Sequence, residues 1–398
     1  MLAGSTGDAA QNSEAFERLT ACLPHTGGTI VLNGFYNTKY GAIVPPRVTL
    51  MGAGMDSCGL VKTGNDIKTV PDRMWQGTPH SFSKDFIAAV DMDSDTTGNL
   101  DGNQTRSTRI IGLSLLCTAP NPSEFGIYSA ISYDVRLEDL YIHNVNTGYR
   151  TSDSWLQVWS NITIKDVATG VKVDVGGTTY NMINVYVRNV SLVAYDLKNI
   201  TYSSMTCCAA DFINGIAYKL VDVTSLVMSG CGCESVTGSQ WDFSGSRVDI
   251  SSFRSVNIHD AGSETLKING SVINLSASYL PGYVDSSTSK YVYINNSTIN
   301  RYNADIPDHA SGKFSWGDDQ STMNIIQYNG VFSVFGTSSG AYIGTIISGV
   351  YNIISSVPPD STVTGLPSGS RWSLINPGVG TYIWVYTGGS WHAAGSVL

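Results

Sequence analysis

Three aspartates, Asp153, Asp174 and Asp196, stand 21 and 22 residues apart, and a carboxylate that returns at a near-constant interval asks to be read as a set. Glycoside hydrolysis needs two carboxyl groups flanking one bond, roughly 5 Å apart for retention or about 6.5 to 9.5 Å for inversion. Like charges held that close favour one protonated partner, the state a general acid requires. Beside the first of them, SDSWLQVWSN supplies Trp155 and Trp159 as possible platforms for a sugar ring, one of them expected in the core. Tyr141, His143, Lys165, Tyr186 and Arg188 recur at alternate positions of short apolar runs. Aromatic faces stack on sugars and cations attract acidic groups, although a packed interface would use the same residues. The candidate catalytic residues are therefore Asp153, Asp174 and Asp196. The candidate substrate-binding residues are Tyr141, His143, Trp155, Lys165, Tyr186 and Arg188. Glu138, Asp222, Glu234, Asp242, Asp249, Asp260 and Glu264 remain as further carboxylates.

Residues so far apart in number meet only if the chain repeats in space. The middle of the sequence carries an apolar-x-apolar-x-x-apolar (or small) pattern at Leu140, Ile162, Val185, Met205, Leu226 and Val256, with Leu113 and Val292 as extensions. Successive starts differ by 22, 23, 20, 21 and 30 residues, and periods of this size mean stacked supersecondary units. Each unit is too short for a crossover helix and alternates as strands do, so equivalent strands must stack in parallel about 4.8 Å apart. The Leu and Asn signature of leucine-rich repeats is absent. One place before the first apolar residue come Asp139, Asn161 and Asn184, and four places after it come Asn144, Asp166 and Asn189. Such side chains tolerate turn conformations and bond neighbouring backbone, so ladders of them at coil corners are expected. The three aspartates drift from 13 to 12 to 11 places after the coil start, so their alignment requires slips in the turns, and turn capping suits them as well.

Composition points the same way. Only 14% of residues are charged and Gly (41) and Tyr (21) are abundant, which fits an all-β chain with tight turns. A net charge of -9 argues against a nucleic-acid partner, which needs clustered Lys and Arg. No apolar stretch reaches membrane-spanning length, and MLAGSTGDAA is not a secretory signal. The seven cysteines, with Cys207-Cys208 and Cys231-x-Cys233 as the nearest sets, match no usual zinc spacing and are expected to be buried thiols. Asp91, Asp93 and Asp95 begin like a calcium loop, but Thr96 stands where Gly is needed and Gly102 where Glu is needed. No metal and no cofactor is expected.

At the N-terminal end, DAAQNSEAFERLTAC places Ala15, Phe16, Leu19 and Leu23 on one helical face, with Asn12 or Ser13 as N-cap. GGTIVLNGFY and RVTLMGAG follow as strands. A helix here would cover the open end of a solenoid. This order, over residues 8–54, resembles the opening of the pectate-lyase-like β-helix domains of bacteriophage tailspikes and capsular polysaccharide depolymerases. The resemblance implies a trimeric right-handed parallel β-helix with a capping helix and a smaller C-terminal β region. Residues 1–54 would hold the helix and first coils, and 55–302 the β-helix with an excursion at 55–108. Residues 303–398 would be a C-terminal part that trimerises or touches carbohydrate.

The function implied is binding and cleavage of a bacterial capsular polysaccharide or O-antigen, preferably as an endo-glycosidase. A lyase acting by β-elimination, or a fibre that binds without cutting, are the alternatives. The partners would be that polysaccharide, two further copies of the chain, and a phage tail or baseplate reached through a preceding N-terminal part. No nucleic acid and no membrane is expected, and the place of action would be the host surface, from the virion tail.

Overall fold

A single residue in the left-handed backbone region turns the chain at each corner, and corners of one kind stack on one another. Asp139, Asn161, Asn184, Cys207, Gly230 and Ser252 occupy one such column, with φ between 52 and 63°. Asn144, Asp166, Asn189, Phe212, Ser235 and Asn257 occupy a second, with φ between 53 and 59°. Asn and Asp accept this conformation because their short side chains bond locally, and Gly230 accepts it for want of a Cβ. The expected ladders form: Asn161 donates to Asp139 (3.0 Å), Asn184 to Asn161 (2.9 Å) and Asn189 to Asp166 (2.8 Å).

Between corners lie three parallel sheet faces, wound as a parallel β-helix. The computed structural model describes residues 7–75, 78–91, 107–259, 265–280 and 292–302. Beyond these it describes 314–316, 322–327, 330–337, 340–347, 350–355, 359, 368–374 and 380–397. The first face stacks residues 136–138 on 109–111 and carries 158–160 and 181–183 above. The second stacks 141–143, 163–165, 186–188, 209–211 and 232–234. The third stacks 149–151, 171–173, 195–197, 218–220 and 241–243. Inward positions fill the column with residues such as Ile142, Ile164, Val187 and Leu220, all buried. Stacked rings do the same on the third face, where Tyr195 and Tyr218 lie 5.0 Å apart and nearly parallel. Their hydroxyls stay satisfied inside the core by donating to the Val185 and Cys208 carbonyls, and burial pushes both well above the usual tyrosine range.

The period is more regular than the sequence pattern suggested. Tyr141, Thr163, Tyr186, Ala209, Gly232 and Arg254 share one column, so Cys208 and not Met205 is the counterpart of Val185. Met205 belongs to the first face between Met182 and Met228. Leu226 lies on that face beneath Val248, and Val256 stands over Glu234. The repeat misleads there because every face of the solenoid presents apolar residues at alternate positions beside a corner, so a slip of three residues at Met205 and Val256, or five at Leu226, preserves the pattern. Val292 extends the third face over Leu266.

The helix Ala9–Ala21 covers the first coil through buried Asn12, Ser13 and Phe16. Asp8, not Asn12 or Ser13, is its N-cap, accepting from the Ala10 amide at 2.8 Å. Asn12 and Ser13 instead satisfy the coil edge: Asn12 donates to the Asn37 carbonyl and the Lys39 amide donates to Ser13. Within 55–108, Gly59–Lys62 and Phe86–Val90 are coil strands. The antiparallel hairpin Lys68–Trp75 with Thr78–Lys84 lies between them. The Asp91–Asp101 run falls outside the described residues beyond Asp91. Parallel stacking continues to Thr322–Gln327, after which pairing turns antiparallel for most of the C-terminal region. All seven cysteines are free thiols; Cys22 and Cys207 are exposed and the other five buried.

Candidate functional site

Outward side chains of the second face form two adjacent columns along the helix axis. One carries Tyr141, Thr163 and Tyr186; the other carries His143, Lys165 and Arg188. The aromatic and basic stripe is thus assembled by register from five of the sequence-predicted residues. Tyr141 stacks on His143 at 5.7 Å. His143 reaches the corner ladder, its Nε2 lying 2.6 Å from Asp166. Burial opposes the Asp166 charge, but hydrogen bonds from Asn189 and His143 and the charge of Lys165 outweigh it and lower its pKa. His259 does not join the stripe, because it lies past the second corner in register with Thr237.

The next two rungs change sign. Asp211 stands over Arg188, and Glu234 stands over Asp211. The basic column therefore ends in two carboxylates on neighbouring rungs, which are about 4.8 Å apart. Tyr186 donates to Asp211 at 2.7 Å and Asn257 donates to Glu234 at 3.2 Å. Among the described residues neither carboxylate has an ion pair. Desolvation, with the Asp211 hydrogen bond and charge, pushes the Tyr186 hydroxyl up to about 12, so it remains a donor at neutral pH.

The three aspartates sit elsewhere and do not share a column. On the third face Asp196 lies between Lys172 and Lys219 in register, continuing upward to Asp242 and Lys267 as a ladder of alternating charge. Asp174 is clamped by Arg150 at 2.6 Å and Lys172 at 3.2 Å. Asp153 turns a corner at φ 45°, its amide donating to the Val175 carbonyl. The drift in their offsets is thus real, each being displaced along the strand from the one below. Trp155 packs against a side cluster containing Phe86, Phe125 and Ile131, away from the stripe. Trp159 is core, edge-on to Tyr149.

Of the further carboxylates, Glu138 and Asp249 lie on the first face, Asp222 at a corner and Asp242 on the third face. Asp260 and Glu264 are outside the described residues. Asp211 was missed by sequence because the slipped frame at Met205 hides the fourth rung. The spacing from Val145 through Val167 and Val190 to Ile213, unbroken in register, carries the signal that places it. Among the described residues no three metal-ligating side chains gather, and no helix is long and apolar enough to cross a membrane.

No family model matches the sequence, and no curated protein matches it. Solved structures do match. The tailspike of Acinetobacter phage vb_AbaP_AS12 superposes with a TM-score of 0.66 at 17% identity, over 84% of this chain and 62% of that one. This chain therefore spans less than two thirds of that tailspike. The DFA-IIIase of Arthrobacter chlorophenolicus A6 superposes with a TM-score of 0.52 at 10% identity, over 80% of this chain and 91% of that one. At these identities the likeness establishes the fold: a β-helix of the kind found in a phage tailspike.

Proposed function

We propose that this chain is the polysaccharide-cleaving body of a phage tailspike, acting as an endo-glycosidase on a bacterial capsular polysaccharide or O-antigen. The observation that carries the reading is the Asp211 and Glu234 pair at the end of the aromatic and basic column. Neighbouring-rung spacing is nearer the roughly 5 Å of retaining enzymes than the wider inverting separation. Glu234 gives its proton to the leaving glycosidic oxygen as Asp211 attacks the anomeric carbon, which forms a glycosyl ester and frees the first product. Water then attacks that carbon, passes a proton to Glu234 and releases Asp211. Tyr186 orients the Asp211 carboxylate, while Tyr141, His143, Lys165 and Arg188 bind the polymer along the axis. Asp174 and Asp196 instead pair with Arg150, Lys172 and Lys219 and tie the rungs of the third face together.

The test is incubation with purified capsular and O-antigen polysaccharides, followed by chain length and reducing ends. Unchanged polymer that is still bound would leave a fibre that only binds. Products with an unsaturated, ultraviolet-absorbing sugar would identify a lyase. The same reading makes the working unit a homotrimer carried on the virion tail, with residues 303–398 joining the chains or touching carbohydrate. A monomeric mass in solution would overturn that part alone.

A further inference from the structure

Phe212 violates the pattern of its own corner. The neighbouring rungs of that column carry Asn144, Asp166, Asn189, Ser235 and Asn257, all small and polar. Phe212 adopts the same left-handed backbone at φ 56°, which disfavours a bulky side chain. It is 49% exposed, so burial does not compensate. What the ring touches is Arg188, whose guanidinium carbon lies 4.9 Å above its centroid. A cation–π contact at so open a site is too weak to be the reason for the strain. Tyr202 carries the same kind of strain while exposed, so what marks Phe212 out is the cation over its ring.

Arg188 itself is poised for something the chain does not supply. It forms no ion pair among the described residues, and its Nε is buried without a hydrogen-bond partner. Lys165 lies one rung below it and Asp211 one rung above. The Phe212 ring beneath it restricts where that guanidinium can move before any ligand arrives, and its planar fork matches a carboxylate. We propose that Phe212 is a positioning residue that holds Arg188 as the receptor for an acid group of the polymer, so that the substrate is an acidic polysaccharide with a sugar carboxylate next to the cleaved linkage. This rests on the second face being the polysaccharide site.

The probes are purified capsular and O-antigen polysaccharides from a serotype panel, each acidic polymer also prepared with its carboxylates reduced to alcohols. Binding is read by affinity electrophoresis and cleavage by reducing ends. Expected are retention of an acidic polymer and a roughly tenfold weaker Kd for its reduced form, the size of one lost charge-assisted contact. Arg188→Met should bind the native and reduced forms alike, and Arg188→Lys should recover part of the difference. Phe212→Asn should weaken binding of the native polymer about as much as carboxylate reduction does, with an equal or higher Tm. Tyr202→Asn relieves the same strain at another corner, where Tyr202 has φ 49° and is 73% exposed, and should leave Kd unchanged. Retention and cleavage of a neutral polymer would overturn the receptor and leave the depolymerase standing. So would equal losses for the two Asn variants. Retention of acidic polymer without cleavage would overturn hydrolysis and leave the receptor, and retention of nothing would overturn both.

Discussion

Glu234 stands one rung directly above Asp211, both on the outward side of the second face. The pair places two carboxyl groups at the end of a basic column without a cation between them. Asp211→Asn and Glu234→Gln should each lower the cleavage rate by about 100-fold or more, the usual range for a lost acid or base, with polymer retention preserved. Proton NMR of the first-formed product should show retained anomeric configuration. Inversion would remove the covalent step, and wild-type rates in both variants would remove the pair.

The Tyr186 hydroxyl tests hydrolysis against elimination. Its pKa is raised to about 12 by desolvation and by Asp211, so the neutral form persists through the alkaline range. The hydrogen bond to Asp211 is fully present below pH 10 and fades as pH rises through about 12. A group so hard to deprotonate is a poor base for β-elimination at neutral pH. Tyr186→Phe should therefore slow the reaction only moderately, about tenfold for one lost orienting hydrogen bond, without moving the alkaline limb of the pH–rate profile. Complete loss of activity together with loss of that limb would favour a lyase with Tyr186 as its base.

Much of this fold was legible because a solenoid writes its period into the chain. Leu140, Ile162 and Val185 stack as read, the Asn and Asp ladders form, and Tyr141, His143, Lys165, Tyr186 and Arg188 converge on one face. What was not legible is which face a given apolar pair belongs to. Met205 and Cys208 both fit the pattern, and only cross-rung pairing separates them. The choice decides whether Asp211 is seen at all. Asp153, Asp174 and Asp196 illustrate the converse. Near-equal spacing in sequence does not make a column when corners differ by one residue, and the actual neighbours of Asp196 are lysines.

That contrast gives a direct comparison of the two acidic sets. Asp174 is 26% exposed and binds the Arg150 side chain, itself 16% exposed and packed over Tyr128. Asp174→Asn should cost about 1–3 kcal/mol of stability by leaving a mostly buried guanidinium without its counter-charge. Cleavage per folded molecule should stay close to wild type. A rate loss comparable to that of Asp211→Asn, with unchanged Tm, would move the catalytic centre to the third face.

Small residues at the start of the third face let the rungs hold the second face in place. Gly126, Gly148 and Gly170 stack where the third face begins, and the next two rungs carry buried Ala194 and Ala217. An added methyl on Gly148 would overlap Ile164 Cγ2 and crowd the Gly170 carbonyl oxygen, and one on Gly170 would meet Val187 in the same way. Where the second face instead buries Ala210, the third-face column carries alanine, so large and small residues alternate across the core. Gly148→Ala should therefore destabilise by about 1–3 kcal/mol, read as a lower Tm. Ile164→Ala alone leaves a cavity and costs about 2–5 kcal/mol. Because the new methyl occupies part of that cavity, the double variant should be more stable than the sum of the single losses predicts. Strict additivity would mean that the two rungs adjust independently, and that the spacing between Lys165 and Arg188 is not fixed by core packing.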